Sequence, residues 1–291
     1  MKWRTLNIVG LIFLVSCQLE GVENSGNDEN DTTGNRLIDS TLISIEEVDP
    51  MILPDSLNGA PNDMVWQGES GLRVEWTKKE NDPINLNDVV MVNYHARVAG
   101  GDEYDNNDKI GRPVPLKSNI GMMVEGWEKG LLEMNAGDEG RIMIPNALGY
   151  GETGYSSLVP PEADLIVDIE IVERIKPIVL DEGVKVYIWQ NTTVEGKPKK
   201  GQKITFDYFA YTCGEDGKMY DNSYQNGEPF TMIFENDNVV EGLHQGMSVL
   251  SAGDNAFIEI PASLAYGKSG LQDLVPKNTN IVYDVRVISI E

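Results

Sequence analysis

The chain has 291 residues, about twice the length of an ordinary domain, with 41% hydrophobic and 24% charged residues. These values indicate a globular protein of two domains rather than a multi-pass membrane protein. The formal net charge of −24 gives a surface that repels nucleic acid. Two Cys and two His are too few for a zinc ribbon or a disulfide framework, and the sequence has neither a P-loop nor a dinucleotide-binding glycine motif.

The N-terminus begins with two basic residues and an apolar run. Lys2 and Arg4 precede an apolar run over 6–15, which is too short to span a bilayer but fits the core of a signal peptide. The run ends in Leu-Val-Ser-Cys at Cys17, which resembles the lipobox whose Cys is acylated and becomes the first residue of the mature protein. We therefore predict a lipoprotein signal peptide over 1–16 and lipidation of Cys17; the alternative is an ordinary secretory peptide.

The segment that follows Cys17 is rich in Glu, Asp, Asn, Gly and Thr up to about residue 35, a composition that cannot form a core. We predict that residues 17–63 are the lipidated Cys and a flexible acidic tether. Gln18, rather than Asp, follows the Cys, as in lipoproteins sent to the outer membrane, so we expect a lipid-anchored protein of the bacterial cell envelope, with the leaflet open. Cys213 is then the remaining thiol, and we expect a half-buried strand residue rather than a nucleophile.

The rest of the chain repeats itself with an offset of 116 residues, which indicates a duplicated domain. The repeated positions include Gly126 and Gly242, Pro145 and Pro261, Tyr150 and Tyr266, and Asp168 and Asp284. Upstream the offset falls to 114, at Tyr94 and Tyr208. We predict two domains, over 64–175 and 176–291.

Each copy has mainly strand patterns and one helical pattern. Apolar and polar residues alternate over 90–98, the period of a half-buried strand, which places His95 on the solvent face. Met123, Trp127, Leu131 and Met134 have helical spacing, as do Val239, Leu243, Met247 and Leu250. We expect Gly137 and Gly253 to end these helices and His244 to lie on a helix surface. One short helix against an antiparallel sheet makes each copy α+β.

Three motifs in each copy resemble a known family. Val124-Glu125-Gly126-Trp127, the loop from Tyr150-Gly151 to Pro160-Pro161, and the strand Leu165 to Glu170 are similar to the helix, loop and closing strand of FKBP-type peptidyl-prolyl cis-trans isomerases. The second copy has the same motifs in the same order. The resemblance implies two tandem FKBP-like domains, each a curved antiparallel β-sheet wrapped on one short α-helix.

The resemblance also implies a pocket in each copy, with catalytic residues that contact the amide and substrate-binding residues that contact the proline ring. In the first copy the catalytic residues are Asp105 and Tyr150, and the substrate-binding residues are Tyr94, Tyr104, Met123, Val124, Trp127 and Tyr155. In the second copy they are Asp221 and Tyr266, with Tyr208, Tyr220, Phe230, Val239, Val240 and Tyr283.

Both copies depart from the family pattern at the pocket walls. Val114 and Val167 stand in the first copy where the family usually has Phe, and Leu243 replaces the Trp in the second. Leu271 lies where the first copy has Tyr155. The departures weaken the expectation of full activity more than the expectation of the fold.

The expected function is peptidyl-prolyl cis-trans isomerisation of exported proteins at the cell envelope. The expected partners are proline-containing polypeptides, unfolded or folding, and the lipid bilayer through acylated Cys17. No metal and no cofactor is expected, since rotation of an amide needs neither. The first alternative is a non-catalytic chaperone or adaptor that binds proline segments, motivated by the altered pocket walls. The second is a tandem β-sandwich surface lipoprotein, which the helix and Tyr-Gly loop of each repeat disfavour.

Overall fold

The computed structural model describes residues 62–193 and 196–291. The predicted signal peptide, Cys17 and almost all of the predicted tether lie outside these residues. The described chain forms two seven-stranded antiparallel sheets, each with one α-helix, and we refer to them as domain 1 and domain 2. No helix in the described part of the chain has the length and apolar character needed to cross a membrane.

Domain 1 contains seven strands and one helix. In chain order they are β1 (Val65–Gln67), β2 (Arg73–Lys78), β3 (Val89–Val98), β4 (Glu103–Asn106), β5 (Val114–Lys117), α1 (Glu125–Leu131), β6 (Glu139–Ile144) and β7 (Leu165–Ile175). The strand order is β1-β2-β6-β7-β3-β4, and β5 also pairs with β3.

Domain 2 repeats this arrangement. Its elements are β8 (Ile178–Val179), β9 (Lys185–Gln190), β10 (Lys203–Thr212), β11 (Met219–Asn222), β12 (Phe230–Ile233), α2 (Glu241–Met247), β13 (Asn255–Ile260) and β14 (Ile281–Ile290). The order β8-β9-β13-β14-β10-β11, with β12 on β10, is that of domain 1. The predicted α+β class and tandem repeat are confirmed.

Single-turn 3₁₀ helices connect several of these elements. They span Asn62–Met64, Glu69–Gly71, Asp108–Ile110, Asn146–Leu148, Gly151–Thr153, Asp181–Gly183, Ser223–Asn226 and Ala262–Leu264.

Each helix lies close to the inward face of its sheet because two glycines face that sheet. A Cβ on Gly126 would lie 2.3 Å from Ile144 Cγ2, and a Cβ on Gly130 would lie 2.4 Å from Ile142 Cγ2. The helices are shorter than the hydrophobic spacing predicts, since α1 ends at Leu131. The expectation that Gly137 ends the helix is wrong. Its φ of +90° belongs to the turn that leads into β6, and Gly253 has the same place before β13.

The outward faces of the two sheets differ in chemistry. Outward positions in domain 1 are charged or polar, whereas the equivalent positions in domain 2 are aromatic. The equivalent pairs are Glu75 and Tyr187, His95 and Phe209, Arg97 and Tyr211, and Arg141 and Phe257. The four aromatic residues of domain 2 are buried in one apolar cluster with the core of domain 1. The outward face of domain 2 is therefore an interdomain interface.

The expectation that His95 faces solvent is wrong. Its side chain is buried, with Nδ1 2.6 Å from Glu103 Oε2 and Nε2 3.3 Å from Asp108 Oδ1. Alternation along β3 predicts which face of the sheet His95 lies on, but not that this face is itself covered. The prediction that Cys213 is half-buried agrees with the structure. The residue is half-buried directly after β10, and burial raises the pKa of its thiol to about 12.

Candidate active site

The centre of the site in domain 1 is a Tyr–Asp pair on adjacent strands. Tyr94 on β3 points inward and is fully buried, and its hydroxyl donates a 2.9 Å hydrogen bond to Asp105 Oδ2 on β4. The strands pair so that Ala96 faces Asp105, which brings the carboxylate within reach of the phenol. Burial raises the pKa of Asp105 to about 6, although the bonds from Tyr94 and from the Asn106 backbone lower it. The site thus keeps a carboxylate in a partly desolvated position.

A second group of aromatic rings lies beside this pair. Tyr104 and Tyr150 meet edge to face with ring centroids 6.1 Å apart, and Tyr150 stacks on Tyr155 at 5.0 Å. Burial is the main cause that raises the pKa of both the Tyr104 and the Tyr150 hydroxyls. These hydroxyls therefore remain protonated near neutral pH and can donate hydrogen bonds.

The loop that carries Tyr150 and Tyr155 is closed by backbone bonds. Tyr155 N donates to Val159 O at 2.9 Å, and Glu162 N donates to Gly151 O at 2.8 Å. Gly154 has φ +63°, and a Cβ there would lie 2.4 Å from Val159 O, so a larger residue would open the loop. Gly270 in domain 2 has φ +68° and the same 2.4 Å approach, to Val275 O. The Tyr-Gly motif thus fixes where the loop tyrosine points.

Trp127 of α1 forms the floor predicted for the first pocket. Its ring meets Tyr94 edge to face at 5.1 Å. Its buried indole N–H has no hydrogen-bond partner among the described residues, so one donor at the floor is available. Met123 lies in the same buried cluster, and Val124 packs against it. Val114 and Val167 are also buried in this cluster, so smaller side chains stand at the walls.

Domain 2 reproduces the polar geometry. The Tyr208 hydroxyl donates to Asp221 Oδ2 at 2.7 Å, and Tyr220 meets Tyr266 edge to face at 6.3 Å and 81°, against 6.1 Å and 80° for their equivalents in domain 1. Two sequences that have diverged at most other positions therefore hold the same four side chains in the same arrangement.

The aromatic wall of domain 2 is built differently. Phe230 contacts Tyr208 at 5.9 Å, and Tyr208 contacts Tyr283 at 5.5 Å between ring centroids. The Tyr220 hydroxyl donates to the Tyr283 hydroxyl at 3.5 Å. Leu243 forms the buried floor where domain 1 has Trp127. The second pocket thus has a fuller wall and a smaller floor than the first.

All predicted pocket residues come together in these two clusters. Val239 and Val240 pack against the domain 2 core, as does Leu271. Their roles in catalysis and substrate binding stay predictions.

Two residues near the pockets were not predicted, Glu128 on α1 and His244 on α2, which are equivalent. Asn119 N donates to Glu128 Oε2 at 3.3 Å. In domain 2, Glu235 N donates to His244 Nδ1 at 3.1 Å, and His244 Nε2 lies 3.0 Å from the Asp237 carbonyl oxygen. The expectation that His244 lies on the helix surface is wrong, because its side chain is buried against Phe234. A polar residue at the same repeat position in both copies was the available signal.

The family model for FKBP-type peptidyl-prolyl cis-trans isomerases matches the chain twice, over 80–172 and 194–288. Peptidyl-prolyl cis-trans isomerase FKBP10 of mouse is 26% identical over 71% of this chain and 35% of its own length. The bovine isomerase FKBP9 is 26% identical over 77% of this chain and 39% of its own length. The chain therefore spans little more than a third of these relatives.

FK506-binding protein 2 of the yeast Kluyveromyces lactis is 36% identical over 33% of this chain and 69% of its own length. Among solved structures, a fragment of wheat FKBP73 with three FKBP domains is 20% identical, with a TM-score of 0.39, over 77% of this chain and 96% of that chain. FkpA from Escherichia coli is 29% identical, with a TM-score of 0.36, over 40% of this chain and 51% of that chain. With a family model matched in both copies, the chain belongs to the FKBP-type peptidyl-prolyl cis-trans isomerase family.

Proposed function

We propose that the chain catalyses cis-trans isomerisation of prolyl bonds in exported polypeptides. A prolyl amide rotates slowly because resonance gives its C–N bond partial double-bond character, with a barrier of about 18–20 kcal/mol. The planar amide is charge-separated, and the twisted amide is less polar. A dry aromatic pocket therefore disfavours the planar ground state relative to the twisted transition state.

The side chains divide this work between the ring and the amide. Tyr94 and Trp127 enclose the pyrrolidine ring in domain 1, where both are buried. The Tyr150 hydroxyl donates to a substrate carbonyl. Asp105 accepts a hydrogen bond from the Tyr94 hydroxyl and so orients the polar side of the pocket. No proton transfer and no covalent intermediate is needed.

One observation carries the proposal: the Tyr–Asp bond and the crossed Tyr pair recur in both domains with nearly the same distances and angles. Buried tyrosines alone are ordinary core residues. A buried Tyr–carboxylate pair held beside a second tyrosine, and repeated after duplication, is better explained by a shared chemical task than by packing alone.

A protease-coupled assay on a prolyl peptide tests the proposal. We expect Asp105→Ala with Tyr150→Phe to lower kcat/KM of domain 1 by at least about tenfold, a loss near 1.4 kcal/mol, when domain 2 is disabled by Asp221→Ala and Tyr266→Phe. The quadruple variant should be nearly inactive yet folded by circular dichroism. Equal rates for wild type and quadruple variant would contradict catalysis at these sites.

A second candidate function is non-catalytic binding of proline segments. The buried Val114, Val167 and Leu243 favour it, because smaller pocket walls and floor weaken ring contacts. Suppression of client aggregation should then persist in the quadruple variant, since the apolar surface remains. A wild-type chain without isomerase activity that still suppresses aggregation would favour this function.

We further propose that the protein works at the bacterial cell envelope, held by lipid on Cys17. The support is the signal-like sequence and the lipobox resemblance at the N-terminus, together with the stable anchoring that two or more acyl chains provide. Cys17→Ala should abolish labelling by a fatty-acid probe and release the protein from the membrane fraction. A Cys17→Ala protein that stays in that fraction without label would overturn the proposal.

A further inference from the structure

The segment 118–124 connects β5 to α1 and carries the pocket residues Met123 and Val124. Its backbone is held from the helix side by Glu128, whose carboxylate accepts hydrogen bonds from the amides of residues 119–121. Burial raises the pKa of this carboxyl group, although those bonds lower it. A shift of the turn at 119–121 would therefore also shift the pocket residues Met123 and Val124.

Domain 2 contacts this same turn from the other side. The turn between β10 and β11 lies against it, and Gly214 N donates to Asn119 O at 3.0 Å. Gly121 and Gly217 meet so closely that a Cβ on Gly121 would lie 1.9 Å from Gly217 O. A Cβ on Gly217 would lie 2.7 Å from Ile120 C. The two glycines allow the two backbones to touch.

A buried ion pair lies next to this contact. Lys117, at the end of β5, is fully buried, with Nζ 2.9 Å from Glu259 Oε2 of domain 2 and 4.5 Å from the centre of the Tyr187 ring. Its Nζ also donates to Asn87 O at 2.6 Å. The Asn87 side chain in turn accepts from Asn119 Nδ2 at 2.8 Å. The ion pair and the glycine contact thus both support the turn at 119–121.

Among the described residues, no hydrogen bond or ion pair joins the equivalent turn of domain 2 to domain 1. Glu235, Asn236 and Asp237 are exposed, and their contacts with His244 and with Lys200 lie within domain 2. The two pockets therefore differ in a respect that their pocket residues do not reveal.

We infer that Gly217, with the Lys117–Glu259 pair, positions the wall of the first pocket, so that domain 2 forms part of the functional unit of domain 1. The inference rests on the proposed function only where its test measures isomerase activity. Because a pocket must be held close to its productive geometry, loosening the turn weakens binding of the proline segment and lowers turnover.

The test uses the full chain with domain 2 disabled by Asp221→Ala and Tyr266→Phe, so that turnover reports domain 1. Gly217→Ala forces the turns apart. Asp216→Ala, at an exposed neighbour in the same turn, is the matched control. We expect Gly217→Ala to speed amide exchange at residues 120–124 and to lower kcat/KM by about fivefold, mainly through KM. We expect no change with Asp216→Ala.

Faster exchange with unchanged turnover would overturn the inference, and so would unchanged exchange. If the parent chain has no isomerase activity, the proposed function fails, and affinity for a proline peptide by calorimetry replaces turnover in the same comparison. If Gly217→Ala does not fold, Glu259→Gln takes its place. Its control is Lys185→Gln, which removes the 3.2 Å pair that Glu259 makes within domain 2 and leaves Lys117 paired.

Discussion

At the scale of single residues, the Tyr94–Asp105 pair keeps a carboxyl group at a position where burial disfavours its charged form. Tyr94 and Asp105 are held together at 2.9 Å in a desolvated position. A carboxylate there costs folding free energy, which an amide of the same shape avoids. The pair is retained in both domains, while apolar walls around it have changed size. Such a costly group is expected where the chemistry depends on it.

Asp105 therefore makes stability depend on pH in a definite direction. Its pKa of about 6 lies above the ordinary 3.8, so the folded state favours the neutral carboxyl group. Its contribution to stability is complete below about pH 4 and is lost as pH rises through about 6. We expect Asp105→Asn to raise the free energy of unfolding by about 1–3 kcal/mol at pH 7 and to change it little at pH 4.

Urea unfolding at the two pH values measures this difference. Asp102→Asn, at an exposed carboxylate in the same domain, is the control for a general charge effect. A variant at residue 105 that is less stable than wild type at pH 7 would show that the ionised form is favoured by partners instead.

At the scale of elements, the turn before each helix is held by a side chain of that helix. This side chain is a carboxylate in domain 1 and an imidazole in domain 2. Glu128 accepts bonds only, whereas His244 accepts from Glu235 N and contacts the Asp237 carbonyl. The two ring nitrogens let His244 contact both a backbone amide and a backbone carbonyl of the turn. The repeat therefore conserves the position of the support and not its residue type.

We expect His244→Ala to lower the stability of domain 2 by about 1–3 kcal/mol, because the Glu235 amide and Asp237 carbonyl lose a buried partner. His244→Gln, which keeps one acceptor and one donor, should recover most of this loss. Glu241→Ala on the exposed start of α2 serves as the control. Chemical denaturation followed by near-ultraviolet circular dichroism reports the difference, and equal losses for Ala and Gln would contradict the hydrogen-bonding role.

At the scale of the whole molecule, the interface makes the two copies unequal. The outward face of domain 2 buries Tyr187, Phe209, Tyr211 and Phe257 against domain 1, and domain 1 has Glu75, His95, Arg97 and Arg141 at these positions. The duplication predicts that each copy folds alone. Without domain 1, domain 2 would expose these four aromatic side chains to water.

We expect residues 176–291 to self-associate when expressed alone, because an exposed aromatic patch of this kind drives association. Grafting the domain 1 residues, as Phe209→His, Tyr211→Arg and Phe257→Arg, should give a monomer. The new Arg at 257 would face Asp284, as Arg141 faces Asp168 at 2.6 Å. Sedimentation velocity over a range of concentrations measures this. A wild-type fragment that stays monomeric at all concentrations would contradict the expectation.

The sequence by itself determined the duplication and the α+β class, and the resemblance of its motifs named the residues that cluster in each domain. These features depend either on the spacing of nearby residues or on motifs whose residues keep their order along the chain. Both kinds of pattern are preserved when the chain folds. Alternation along β3 even predicted which residues face the helix.

Only the tertiary structure decided what covers the other faces. His95 and His244 were predicted to lie on the surface because periodicity distinguishes two sides of an element but does not show which other segments pack against each side. The contact of Gly121 with Gly217, and the pairing of Lys117 with Glu259, join residues about a hundred or more positions apart. Such contacts depend on how one folded domain lies on another, and that is decided by the sum of burial and charge over the interface rather than by any local pattern.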